Sequence, residues 1–141
     1  MCRCELVGLG VDDTPDFFYD KIDGIYGRMG LTPEMRSRGE MQSRGEMLPS
    51  SRELLRLEDH VGAGYAESTA EELDFLVEVA QATGICLDPV YSGKAALGMV
   101  EDLHKRPGAK RVCFIHTGGM LGLYAKESML LPLLQKSEAS Q

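Results

Sequence analysis

Residues 85–100 read ICLDPVYSGKAALGMV, and this stretch decides the fold. Ile85-Cys-Leu87 is a short apolar run of the kind that forms a buried strand. Asp88-Pro89 breaks it, because proline fixes φ and has no N–H to give a ladder. Ser92 then caps a helix whose residues Ala95, Ala96, Met99, Val100 and Leu103 face inward. A strand that turns sharply into an amphipathic helix is the repeating element of α/β proteins.

The same alternation continues on both sides. Downstream, Arg111–Ile115 (RVCFI) reads as a second short buried strand, followed directly by His116-Thr-Gly-Gly119. Leu121 to Leu134 is partly helical, broken by Pro132. Upstream, Ser68-Thr-Ala-Glu71 has the form of a capping box. It opens a helix with Leu73, Leu76, Val77 and Ala80 on one face, stopped by Gly84. Arg52–Asp59 is a short strand in which Leu55 and Leu57 alternate with charge, and residues 2–9 (CRCELVGL) form another. Between these two, Thr14-Pro15-Asp16 opens a helix carrying Phe17, Phe18, Ile22, Ile25, Tyr26 and Met29, ended by Gly30. Strand and helix alternate four times, so the expected fold is α/β with a mostly parallel sheet flanked by helices. Residues 33–51 stand apart. Met35-Arg-Ser-Arg-Gly-Glu is nearly repeated as Met41-Gln-Ser-Arg-Gly-Glu, in a polar loop insertion without an apolar face.

Composition narrows the function. The chain has 141 residues and a formal net charge of −7, which disfavours nucleic acid and anionic membrane surfaces as partners. No apolar run is long enough to span a bilayer. The start, Met1-Cys-Arg-Cys-Glu-Leu, resembles neither a signal peptide nor a transit peptide. Cys2, Cys4, Cys86 and Cys113 contain no C-x-x-C pair, and His60, His104 and His116 are far apart, so no metal site and a reduced, intracellular compartment are expected.

In parallel α/β sheets, ligands sit beyond the carboxyl ends of the strands. Asp88–Gly93, His116–Gly119 and Gly62–Thr69 therefore share the functional rim. His116-Thr-Gly-Gly119 offers backbone N–H groups before a helix, either as an anion or ring-nitrogen site or as a plain tight turn. Tyr91 projects where a phenol can stack on a planar ligand or move a proton. Tyr65, between Gly64 and Ala66, is either a pocket residue or an ordinary half-buried tyrosine. Lys94, in the first turn of its helix, reads as a solvated surface residue. A Ser92–His116–Asp88 triad is conceivable, but no Gly-x-Ser-x-Gly elbow supports it.

Taken together, DPVYSGKAALGM, FIHTGGMLGLY and GAGYAESTAEELDFL resemble the C-terminal motifs of D-cysteine desulfhydrases and the related 1-aminocyclopropane-1-carboxylate deaminases. GVDDTPDFFYDKIDGI resembles the plant and algal members. The resemblance covers nearly the whole chain apart from the repeat region. It implies the C-terminal part of a tryptophan-synthase-β-like, fold-type-II enzyme using pyridoxal 5′-phosphate, with residues 1–141 as part of the large, cofactor-binding domain. It implies elimination of D-cysteine to pyruvate, hydrogen sulfide and ammonia, a small amino-acid substrate, and homodimers at full length. Location is cytoplasmic by default, or mitochondrial if a transit peptide lies upstream.

By motif matching, Tyr65 and Tyr91 are the active-site tyrosines, Thr117 faces the pyridine nitrogen, and Ser92 and Gly118 complete the cofactor contacts. The deaminase branch has glutamate after the motif tyrosine and a nonpolar residue after the motif histidine. Ser92 and Thr117 occupy those places here. A hydroxyl can donate to an unprotonated nitrogen but cannot supply a counter-charge. The weaker electron sink suits loss of a good thiol leaving group better than opening of a cyclopropane, which favours desulfhydrase over deaminase. Family members run to on the order of a few hundred residues. Their cofactor-bearing lysine and phosphate loop find no match here. The expectation for the isolated chain is thus weak or absent cofactor binding and no turnover, with a non-catalytic fragment pairing with a full-length homologue as a further alternative.

Overall fold

A computed structural model describes residues 4–30, 50–108 and 111–138. The chain divides into two compact units, Met1–Asp59 and His60–Gln141.

The first unit is a β-α-β arrangement. Strand β1 (Leu6–Gly10) pairs in parallel with β2 (Leu55–Asp59), with Leu6 opposite Leu55 and Gly10 opposite Asp59. Helix α1 (Pro15–Arg28) lies between them in sequence. Its start follows the expected chemistry: the Thr14 side chain accepts from the Phe17 N–H, and Pro15 occupies the first turn. Tyr19 ties α1 to β2. Its hydroxyl accepts from the Leu57 N–H at 3.0 Å and donates to the Leu55 carbonyl at 3.2 Å. The Arg52 guanidinium lies 4.2 Å from the Tyr19 ring centroid, which adds a cation–π contact. The expected strand at Arg52–Asp59 is shorter than the pattern implies. Ser51–Leu54 forms a single helical turn, α2, because Glu53 takes hydrogen bonds from both the N–H and the hydroxyl of Ser50. Of the polar insertion at 33–51, residues 33–49 lie outside the described residues, and Ser50 and Ser51 belong to this turn.

The second unit contains α3 (Ala70–Thr83), α4 (Ser92–Lys105), a 3-10 helix (Met120–Lys126) and α5 (Glu127–Glu138). Leu73, Leu76 and Val77 on one stripe of α3 meet Leu87, Ala96 and Leu130 in the core. Each of the leucines and Val77 contributes roughly 1.5–3 kcal/mol when fully buried. The capping box of α3 sits one residue later than the pattern indicated. Thr69 accepts from the Glu72 N–H, and Glu72 accepts from the Thr69 N–H. Gly84 closes the helix at φ +74° with its N–H on the Ala80 carbonyl.

Three expectations need correction. First, Ile85–Leu87 and Arg111–Ile115 are irregular, and among the described residues the only sheet is the parallel β1–β2 pair. Apolar composition favours a strand, but a strand exists only where neighbouring backbone completes its ladder. Leu87 and Phe114 reach the core, whereas Ile85, Val112 and Ile115 stay exposed, Ile115 at 71%. Second, Pro132 lies inside α5 and does not break it. Leu130 and Leu133 pack on the core on either side of it, which offsets the roughly 3 kcal/mol that an interior proline costs. Third, the buried face of α4 is Ser92, Gly93, Lys94, Ala96 and Gly98, and Met99, Val100 and Leu103 are only half-buried.

Candidate functional site

Asp88 organises the site. It is 0% exposed, and its carboxylate is saturated from its own turn. Oδ1 accepts the N–H groups of Val90 at 2.9 Å and Tyr91 at 2.7 Å. Oδ2 accepts the Ser92 N–H at 2.7 Å and the Ser92 hydroxyl at 2.6 Å. In return the Asp88 N–H donates to Ser92 Oγ at 2.8 Å. Burial pushes the Asp88 carboxyl up, but the Ser92 hydroxyl and the three backbone N–H groups outweigh it and hold the group below the usual aspartate range. Ser92 is therefore not the cap of α4. Asp88 satisfies the orphan N–H groups there, and the negative charge suits the positive helix end.

Two loops meet this turn. The first runs from His60 to Glu67 and carries Tyr65. Gly62 adopts φ +66°, and a Cβ there would come within 2.7 Å of Glu72 Oε1, so both the conformation and the space require glycine. Behind this loop lies Lys94, whose side chain is 1% exposed and not the solvated lysine that its position suggests. Its Nζ donates to the carbonyls of Val61 at 2.5 Å and Gly64 at 2.8 Å, with Glu72 Oε1 at 3.8 Å. Lys126 Nζ donates to the Ala66 carbonyl at 2.7 Å, and Ala66 is held at φ +56°. Ser68 Oγ reaches the Pro89 carbonyl at 3.4 Å.

The second loop is His116–Gly119. The Gly118 N–H donates to His116 Nδ1 at 3.0 Å, so Nε2 carries the imidazole proton and donates it to the Cys86 carbonyl, 3.1 Å away. Neither nitrogen faces Ser92, so no Ser92–His116–Asp88 triad forms. Gly118 and Gly119 sit at φ +107° and +95°. A Cβ on Gly119 would stand 2.6 Å from Asp88 Oδ2, so only glycine lets this loop close on the buried carboxylate. Thr117 is exposed, and among the described residues its hydroxyl has no partner. The element that follows is a 3-10 helix, whose short, poorly aligned turns make a weaker dipole end than the α-helix expected there.

These contacts bring together the two tyrosines picked out by sequence. The Tyr65 and Tyr91 hydroxyls are 2.6 Å apart, with ring centroids at 6.2 Å and planes tilted by 60°. Both side chains face solvent, at 55% and 43% exposure. One phenol donates to the other, so as a unit the pair can give and take a proton at one point. Ser92, by contrast, has committed its only hydroxyl proton to Asp88. Sequence reasoning missed the roles of Lys94, Glu72 and Lys126. One signal was present: a lysine in the first turn of a helix opposes the helix dipole and needs a compensating partner.

No protein-family profile matches the chain. It is 37% identical over 135 residues to the bifunctional D-cysteine desulfhydrase/1-aminocyclopropane-1-carboxylate deaminase, mitochondrial, of Arabidopsis thaliana, covering 94% of this chain and 30% of that protein. It is 47% identical over 75 residues to a putative 1-aminocyclopropane-1-carboxylate deaminase of Thermotoga maritima, covering 53% of this chain and 23% of that protein. The same named protein of Pyrococcus horikoshii is 38% identical over 78 residues, covering 55% of this chain and 24% of its own length. Among solved structures, an ACC deaminase homologue superposes with a TM-score of 0.65 at 28% identity, covering 90% of this chain and 35% of that one. The chain thus spans about a third or less of the curated relatives it matches. Among the described residues no helix is long and apolar enough to cross a membrane.

Proposed function

Since the chain is homologous to a C-terminal part of the D-cysteine desulfhydrase/1-aminocyclopropane-1-carboxylate deaminase family, we propose that it forms the substrate-facing wall of a pyridoxal-phosphate-dependent lyase acting on D-cysteine. The single observation that carries this reading is the solvent-facing Tyr65–Tyr91 hydroxyl pair at 2.6 Å, held by Asp88 on one side and Lys94 on the other.

The donor set fits the cofactor in part. Thr117 presents a hydroxyl that can donate to a pyridine nitrogen without protonating it. Pyridoxal phosphate, when bound, supplies the electron sink for bond cleavage at the amino acid's α-carbon. Tyr91 and Tyr65 orient the substrate and hold or deliver a proton at the phenol oxygens, where a departing thiolate needs one. With Ser92 turned to Asp88, the choice between the branches falls on Thr117. A hydroxyl in place of a nonpolar neighbour of the nitrogen favours elimination of thiol over cyclopropane opening.

The isolated chain is expected not to turn over D-cysteine, because its matched motifs do not include the cofactor-bearing lysine or the phosphate loop. The experiment is therefore a chimera in which residues 4–138 replace the matching C-terminal part of the Arabidopsis relative. Sulfide release from D-cysteine that exceeds ammonia release from 1-aminocyclopropane-1-carboxylate supports the reading. A folded chimera that favours the cyclopropane substrate supports the deaminase alternative. A second reading, a non-catalytic partner of a longer family member, is favoured by the exposed Ile85, Val112 and Ile115, which lie in segments that join no sheet among the described residues. Co-purification with a full-length homologue, with no effect on its sulfide release, would support it.

A further inference from the structure

Lys94 is an unusual use of a lysine. It lies in the first turn of α4, where the helix dipole repels a cation, and its side chain is 1% exposed. Three oxygens compensate: the carbonyls of Val61 and Gly64 and the carboxylate of Glu72. The first two belong to the loop that carries Tyr65, and the third caps α3 by accepting the Thr69 N–H. Gly62 sits between them, with its Cβ position 3.4 Å from Nζ, so the loop wraps closely around the ammonium.

We infer that Lys94 is a positioning residue: its ammonium acts as a tethered cation in an oxygen cage, fixing the 61–64 backbone so that the Tyr65 hydroxyl meets that of Tyr91. The hydroxyl contact joins Tyr65 to Tyr91 at the tip, and the base of the loop has its own supports. The backbone carbonyls on both sides of Tyr65 are held by lysines, Val61 and Gly64 by Lys94 and Ala66 by Lys126. Hydrogen bonds from a charged donor are worth about twice neutral ones, and a buried cage keeps water from competing for them. The functional interest of this role rests on the reading of the tyrosine pair as the working part of the site.

The test needs neither cofactor nor substrate, so its failure is distinct from failure of the lyase reading. The full chain is labelled with 3-fluorotyrosine, its five tyrosines giving five fluorine lines. The lines of Tyr65 and Tyr91 are assigned with Tyr65→Phe and Tyr91→Phe. In Lys94→Ala the Tyr91 line should move to the position that it takes in Tyr65→Phe, and amide exchange over residues 61–66 should quicken at least about tenfold. Ammonium or methylammonium should then return the line to its wild-type position, which a merely space-filling role would not allow. Lys94→Met with Glu72→Gln removes both charges together and keeps the volume, in case a lone buried carboxylate unfolds the single variant. An unmoved Tyr91 line in a folded variant overturns the inference. So does loss of the fold in both variants, since the ammonium would then support the unit as a whole and not the loop.

Discussion

Within the unit His60–Gln141, the turn at Asp88–Ser92 and the segments on either side of the core behave in opposite ways. The turn satisfies its polar groups from within: one carboxylate takes four hydrogen bonds from three residues, Val90, Tyr91 and Ser92. Ile85–Leu87 and Arg111–Ile115 carry strong strand composition yet join no sheet among the described residues. The contrast separates two kinds of instruction. Caps and turns are encoded by neighbours in sequence, whereas a parallel strand depends on chain far away.

The strongest way to break the comparison is at Asp88. Asp88→Ala removes the acceptor of four bonds and should destabilise the second unit by ~3 kcal/mol or more, read as a lowered denaturant midpoint. The pH dependence carries a definite sign. The folded-state pKa of Asp88 lies below its unfolded value, so its contribution is fully present above about pH 4 and is lost as pH falls through the folded value. Unfolding curves of the wild type and Asp88→Asn should therefore converge on acidification, and parallel curves would contradict the assignment.

A smaller effect is expected at Gly119. Gly119→Ala forces a side chain into φ +95° and against Asp88 Oδ2, for a loss of roughly 1–3 kcal/mol by thermal melting. The smallest belongs to the open segments. Ile115→Lys, at 71% exposure, should change stability by no more than about 0.5 kcal/mol while lowering binding of a hydrophobic dye. A large destabilisation there would mean that the segment is already packed, and the contrast would fail.

The same division explains what could be read from sequence. Thr14-Pro15, the capping box of α3 and Gly84 all lie within a few residues of the groups they satisfy, and each was legible to within a residue. Tyr65 and Tyr91 stood out in the sequence, though their hydroxyl contact did not, because it joins two loops far apart along the chain. Asp88 read as a strand breaker because its saturation by the next turn needs a specific backbone path. The strand at 111–115 was misread because composition measures preference for a ladder and not the presence of one.

The central claim is that the Tyr65–Tyr91 pair is the working part of this wall. Its most direct test is sulfide release from D-cysteine by the chimera carrying residues 4–138, with and without Tyr91→Phe. Loss of the phenol proton should lower kcat by about 100-fold or more while the melting temperature holds. An unchanged kcat in the folded variant would contradict the claim.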